Sequence, residues 1–289
     1  MATPNPSVRI SPIWLVLVGI ASVQVGAAIA KTLFDEVEPE AIVWLRLVVS
    51  AVVLTLIARP ALRGRSGSDW LVVLGFGATL GLMNWAIYQA FARIPLGIAV
   101  TIEFIGPLAL ALIGSRRARD LIWVALAALG VALLGLEPAD LNLAGVLFAL
   151  LAGAGWAAYI LLSAQTGRRW QGLDGLAMAS VVATLLLTPV MVGGGSSGLD
   201  DGRILLLGAA VGLLSSVIPY SCEMAALRTL PPSVFSILMS LEPAAAALAG
   251  IVIVGEFITG VQWLAVACVV AASIGATRSR PTIRVPAPD

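Results

Sequence analysis

The sequence predicts an all-α membrane protein: ten transmembrane helices in two inverted five-helix repeats. Three observations carry this expectation. Of the 289 residues, 60% are hydrophobic and 11% charged, against about 25% charged in a soluble domain, and mean hydropathy is +1.01. The apolar residues gather into ten runs, each near the roughly 20 residues a helix needs to cross a bilayer. A pattern of prolines and glycines in the fourth run returns in the ninth. The net charge of +1 gives no basic signature for nucleic acid. The chain has no histidine, which removes the commonest metal ligand and general base. Cys222 and Cys268 fall inside apolar runs and read as small buried hydrophobes. No disulfide framework, metal site or cofactor is expected.

The runs can be taken in order. Ile13–Leu33 follows Arg9 and holds Ala28 and Ala30 at the spacing of a signal-peptidase site. Signal peptides have apolar cores of about 7–15 residues, so this longer run reads as a retained span. Glu40–Ala58 and Trp70–Ala92 come next. Leu96–Gly114 follows Pro95 and contains Glu103, Gly106 and Pro107. Asp120–Leu136 completes the first half. Asn142–Ser163, Leu173–Val192, Arg203–Ala226, Ser233–Val254 and Thr259–Thr277 form the second. The longest polar connection, GGGSSGLDDGR at 193–203, reads as a flexible loop. The expected units are repeats at 1–137 and 138–277, with a disordered proline-rich cytoplasmic tail at 278–289.

Loop charges fix the expected orientation. With the N-terminus in the cytoplasm, inner segments carry Arg9, Arg59, Arg63, Arg65, Arg116, Arg117, Arg119, Arg168, Arg169, Arg228, Arg278, Arg280 and Arg284. Outer segments carry Lys31, Arg93 and Arg203. Cytoplasmic loops of membrane proteins are enriched in Lys and Arg. Thirteen against three therefore supports ten spans with both termini inside. Removing one span would scramble the pattern. Acids such as Glu36, Glu40, Glu137, Asp140 and Glu256 fall outside, where they have little weight.

The repeat is visible in AFARIPLGIAVTIEFIGPLALALIG (90–114) and AALRTLPPSVFSILMSLEPAAAALAG (225–250). Pro95, Pro107 and Gly114 recur 136 residues later as Pro231, Pro243 and Gly250. The preceding runs hold Gly77 with Gly81 and Gly208 with Gly212, a spacing that lets helix backbones approach closely. Five spans is an odd number, so the second half enters the membrane from the opposite side. Inverted repeats of this kind build many secondary transporters, with the site between the halves near the midplane.

Few polar side chains lie at depth. An acid at mid-span costs about 2.5–3.5 kcal/mol on insertion scales and marks a functional candidate. Glu103, Glu223 and Glu242 are three such acids. Pro107 lacks an N–H and leaves the carbonyl of Glu103 without its helical donor. Gly106, Pro107, Pro219 and Pro243 are the expected helix breaks. Arg46 either pairs with one of the glutamates or captures a substrate carboxylate, which suits guanidinium geometry. Gln24 and Asn84 either join helices by hydrogen bonds or line a cavity. Lys31 lies nearer the outer end. Tyr88, Trp156, Tyr159 and Tyr220 sit deeper than interfacial aromatics and are candidate cavity walls. At the 136-residue offset, Glu103 aligns with Met239 and Gly106 with Glu242. The breaks are symmetric and the acids are not, which suits one oriented polar substrate.

Four segments carry a family resemblance: SVQVGAAIAKTLF (22–34), MNWAIYQAFARIPLGIAVTIEFIGPLALALIGSRR (83–117), GAGWAAYILLSAQ (153–165) and IPYSCEMAALRTLPPSVFSILMSLEPAAAALAG (218–250). From about Trp14 to Thr277 the chain resembles the EamA-type branch of the drug/metabolite transporter superfamily. Within that branch it looks most like the threonine/homoserine exporters of bacterial inner membranes. The resemblance implies efflux of small amino acids driven by the proton gradient, with no enzymatic activity. The expected partners are an amino-acid substrate, protons and membrane lipid. The resemblance assigns these residues no role beyond lining the central cavity; on their own chemistry, the substrate carboxylate is expected to face Arg46 or Lys31. Its ammonium faces a glutamate or the carbonyls freed by Pro107 and Pro243. Its hydroxyl meets Asn84, Gln24 or Tyr88, and the coupling proton sits on Glu103, Glu223 or Glu242. Export of other metabolites or drugs is the alternative; a non-transporting structural or receptor membrane protein accounts for neither the three buried acids nor the inverted repeat. A membrane-embedded enzyme is disfavoured because no nucleophile is paired with a base. No GxxxxGK[ST] phosphate loop is present, which argues against coupling to ATP within this chain.

Overall fold

The structure, a computed structural model, describes residues 11–113, 121–136, 142–194 and 198–278. The loop arginines Arg9, Arg116, Arg117, Arg119, Arg280 and Arg284, the acids Glu137 and Asp140, the repeat glycine Gly114 and the tail 279–289 lie outside the described residues.

All regular elements among the described residues are helical. The first half contributes α1 (Pro12–Thr32), α2 (Pro39–Ala58), α3 (Gly67–Phe91), α4 (Leu96–Glu103), α5 (Ile105–Ile113) and α6 (Leu121–Leu136). The second contributes α7 (Leu143–Gly167), α8 (Asp174–Gly194), α9 (Gly202–Gly212), α10 (Ile218–Leu227), α11 (Pro232–Met239), α12 (Glu242–Ala249) and α13 (Gly260–Arg278). Several starts follow from local chemistry. Proline occupies the first position of α1, α2 and α11, where its missing N–H costs nothing. Ser66 and Asp69 form a reciprocal capping box at the start of α3. Asn142 accepts from the Gly145 N–H at the start of α7, satisfying a donor that has no intrahelical partner.

Among the described residues, eight helices are long and apolar enough to cross a membrane: Pro12–Thr32, Pro39–Ala58, Gly67–Phe91, Leu143–Gly167, Asp174–Gly193, Gly202–Leu227, Val234–Val254 and Gly260–Arg278. The other two expected spans correspond to shorter apolar helices, Leu96–Leu110 and Leu121–Leu134. The segment joining these two, 114–120, falls outside the described residues.

Three of the apolar stretches are interrupted. The helix stops at Glu103 and resumes at Ile105, just before Gly106 and Pro107. It stops at Met239 and resumes at Glu242, just before Pro243. Between α9 and α10, residues Leu213–Val217 form a π-helical turn immediately before Pro219. Proline cannot donate to the carbonyl four residues back and its ring crowds that carbonyl, so the preceding turn loosens in each case. A second π-helical turn, Gly250–Val254, ends at Gly255, whose φ of 82° favours glycine.

Glycines set the close crossings. Gly77 of α3 faces Val182 of α8, and Gly208 and Gly212 of α9 face Leu45 and Val49 of α2. Gly97 of α4 lies on the backbone of Ala247 in α12. Gly106 meets the Gly153 carbonyl in α7 with no room for a Cβ. At one end of the bundle Arg65 clasps the α2–α3 turn to the α7–α8 turn. It donates to the Arg169 carbonyl at 2.8 Å, approaches Asp174 at 3.6 Å and stacks 4.3 Å from the Trp170 ring.

Candidate functional site

A cavity of about 580 Å³ lies between α1, α2, α3, the α4–α5 break, α7, α10, the α11–α12 break and α13. Most of the candidate polar residues meet there. Gln24, Arg46, Asn84 and Glu103 line it from the first half. Trp156, Tyr159, Tyr220, Glu223 and Glu242 line it from the second, as do Pro107 and Pro219 at two of the interruptions. It runs toward the ends of α10 and α13, where Leu227 and Thr277 form its wall.

Arg46 is buried and carries the cavity's positive charge. Its Nε donates to the Ser216 hydroxyl at 3.3 Å and its Nη2 to the Ser215 carbonyl at 3.0 Å. Among the described residues no carboxylate lies within ion-pair distance of it. The Ser215 carbonyl is available because Pro219, four residues on, cannot donate to it. The turn that holds Arg46 is clamped from α1 as well. Ser22 donates to the Leu214 carbonyl at 2.7 Å, and Gly26 makes room for the Ser215 side chain.

Glu103, Glu223 and Glu242 face the same cavity, and none is ion-paired among the described residues. Glu103 and Glu242 are buried, Glu223 half-buried. Gln24 is buried and its Oε1 has no hydrogen-bond partner, so the cavity wall holds an unsatisfied acceptor. Asn84 donates from Nδ2 to the Leu80 carbonyl of its own helix at 2.8 Å and therefore does not join helices through that group. Trp156 packs edge-on to Phe104 at 5.3 Å, and Tyr159 packs on Phe76 at 5.1 Å. The chemistry on offer is one fixed cation, three acids and an apolar wall. That set suits a small molecule bearing both charges.

Some candidates fall elsewhere. Lys31 does not reach the cavity. It forms an ion pair with Glu256 and donates to the Ile94 carbonyl at 2.7 Å. Tyr88 is fully buried behind the wall, its ring 5.7 Å from the Arg46 guanidinium carbon and packed on Phe34 and Phe91. Gly106 and Pro243 serve packing and the helix break; neither lines the cavity. The Glu103 carbonyl, freed by Pro107, is covered by Gly153: a Cβ there would lie 2.6 Å from it. It is engaged in helix packing and not presented to a ligand.

The residues that sequence reasoning missed are Ser215 and Ser216. The signal was present, because Pro219 frees the Ser215 carbonyl by the same rule that Pro107 frees that of Glu103. Met83, Phe104, Phe235 and Met239 complete the apolar wall. Nothing in an apolar run distinguishes such residues from lipid-facing ones.

Comparison with known proteins places these features in a family. Residues 143–278 match the EamA-like transporter family. The threonine/homoserine exporter RhtA of Salmonella typhimurium strain LT2 is 40% identical over 288 residues, covering 96% of this chain and 97% of its own. RhtA of Escherichia coli K12 is 40% identical over 278 residues, covering 94% of each chain. An uncharacterized transporter of Bacillus subtilis, YwfM, is 30% identical over 156 residues, about half of each chain. A solved protein structure superposes with a TM-score of 0.62 over 92% of this chain and 96% of its own at 19% identity, a likeness of fold alone. The chain thus belongs to the EamA-like transporter family, as a multi-pass membrane transporter of a small molecule and not an enzyme.

Proposed function

We propose that the protein exports small amino acids, threonine and homoserine among them, across the bacterial inner membrane in exchange for protons, by alternating access. The observation that carries this is the cavity between the two halves, which holds an immobilised Arg46 and three acids without cation partners. The likeness to exporters named for threonine and homoserine supports the same substrate class. The substrate carboxylate binds Arg46, since Lys31 is engaged with Glu256. Its ammonium faces a glutamate, and its hydroxyl meets the open Oε1 of Gln24 or Asn84. The coupling proton sits on Glu103, Glu223 or Glu242.

The frame we propose is ten spans in two inverted repeats, 1–137 and 138–277, with both termini cytoplasmic. The elements α4 and α11 support it, because each has eight residues and their starts are 136 residues apart. Membrane lipid surrounds the exposed apolar side chains.

The test is transport in proteoliposomes with an imposed pH gradient, following labelled threonine, homoserine and a panel of other amino acids. Gradient-dependent movement of threonine or homoserine is expected. If no amino acid moves, the proposal is wrong. The apolar wall of Met83, Phe104, Trp156, Phe235 and Met239 favours a second reading, export of a larger amphipathic metabolite. Movement of such compounds but not of threonine would establish it.

A further inference from the structure

The cavity ends short of one side of the bundle. On α1 its wall stops at Ala27, and on α4 it begins only at Val100. The next turns beyond are Ala28–Lys31 and Leu96–Ala99. There the three-way contact of Lys31, Glu256 and the start of α4 closes the bundle. Glu256 pairs with Lys31 through Oε1, and through Oε2 it accepts the Leu96 N–H at 2.8 Å. That N–H belongs to the first turn of α4, where no intrahelical acceptor exists, and a carboxylate there is favoured by the helix dipole. Lys31 completes the ring by donating to the Ile94 carbonyl at 2.7 Å. The side chains of Lys31 and Glu256 are 14% and 20% exposed.

This ring joins three separate parts of the chain: the last turn of α1, the α3–α4 turn and the linker before α13. The neighbouring charges are satisfied independently. Gln89 donates to Glu40 at 2.7 Å and accepts from Arg93 at 2.6 Å. The other ion pair at this end, Arg203 with Glu36, is far more exposed, at 58% and 45%. Behind the ring, Gly97 lies on Ala247. The helix that Glu256 caps is therefore the one that ends at Glu103 in the cavity.

We infer that Lys31 and Glu256 form the gate at this end, and that opening the cavity to this side requires the ion pair and the Glu256–Leu96 hydrogen bond to part together. The inference rests on the alternating-access reading above. It assigns Lys31 a gating role in place of substrate contact. Breaking one partner of a partly buried pair leaves the other charge stranded, so single substitutions should weaken the closed state.

The experiment uses a Cys222→Ser/Cys268→Ser background with Ile87→Cys as reporter on the cavity wall. A membrane-impermeant maleimide is added from the face bearing Glu256. Glu256→Ala should speed labelling about tenfold, less than a fully buried pair would give because both side chains keep some solvent contact. Glu256→Gln, which keeps an acceptor for Leu96, should fall between Ala and the native residue. In a second arm, Lys31→Cys/Glu256→Cys in the same cysteine-free background, without the Ile87 reporter, is bridged by a short bis-methanethiosulfonate cross-linker, because two long side chains that meet at their tips leave Cα atoms farther apart than a direct disulfide spans. That lock should stop transport, and reductant should restore it. Labelling that ignores Glu256 substitutions, or a locked protein that still transports, overturns the gate. Labelling is read without any cargo. A gate that responds to Glu256 while no amino acid moves would retain the gate and refute only the substrate proposal.

Discussion

Arg46 donates from Nη2 to the backbone carbonyl of Ser215 at 3.0 Å, across the interface between the two halves of the chain. The bond exists because Pro219 removes the donor that Ser215 would have inside a helix. It fixes the cavity's cation without spending one of the cavity's carboxylates on it. Ser216→Ala removes the companion bond to Nε. Hydrogen bonds to charged groups contribute about 1.5–3 kcal/mol, and this one is long at 3.3 Å, so half-saturation for amino-acid transport should rise about tenfold. Ser216→Thr, which keeps the hydroxyl, should recover most of the affinity. Initial-rate transport in proteoliposomes at equal protein content measures both.

Pro219→Ala tests the same relationship from the backbone side. Alanine supplies the missing N–H, which then competes with Arg46 for the Ser215 carbonyl. The π-helical turn should relax toward α-helix, and affinity should fall by about threefold to tenfold, in line with one weakened hydrogen bond. A transport KM unchanged from the native protein would show that the turn does not position Arg46.

Glu103→Gln addresses coupling. If Glu103 carries the exchanged proton, gradient-driven export fails while substrate exchange across the same vesicles continues. If Glu223 or Glu242 carries it, the corresponding glutamine variant shows that split and Glu103→Gln does not. Paired exchange and gradient assays on the three variants distinguish the acids.

Gly106→Ala would place a Cβ on the Gly153 carbonyl. Backbone, unlike a side chain, cannot swing away, so destabilisation should reach about 3 kcal/mol, the upper end for overpacking. Gly167→Ala meets nothing within 4 Å and should change stability by no more than about 0.5 kcal/mol. Thermal unfolding in detergent gives the comparison.

Arg65→Lys keeps the charge but loses the planar stacking on Trp170 and the geometry of the Arg169 carbonyl bond. A loss of about 1 kcal/mol is expected. Because Arg65 lies outside the cavity wall, the transport KM should stay unchanged while the melting temperature falls.

Much of the frame was legible in the chain. Hydropathy picked out the helices because a bilayer tolerates only backbone that bonds to itself. The prolines at 107, 219 and 243 marked three interruptions because a missing N–H removes a backbone bond, although Pro189 lies inside an unbroken α8. Most of the cavity residues were legible for a related reason: a polar side chain inside an apolar run is costly and therefore conspicuous. The apolar wall was not, since Phe104 or Met83 reads the same whether it faces lipid, a neighbouring helix or the cavity.

Sequence by itself determined the class, the apolar runs, the charge bias of the loops and the recurrence of the break at 136 residues. Tertiary structure decided what each polar group does. Depth along one helix can be counted from sequence, but the partner a side chain meets depends on which other helix crosses there. Lys31 meets Glu256, 225 residues away in the chain, and so leaves the substrate site. The Glu103 carbonyl meets Gly153 and is closed off, while the Ser215 carbonyl, freed in the same way, meets Arg46. The aligned positions Gly106 and Glu242 part company for the same reason. One packs against a glycine of α7, and the other opens into the cavity.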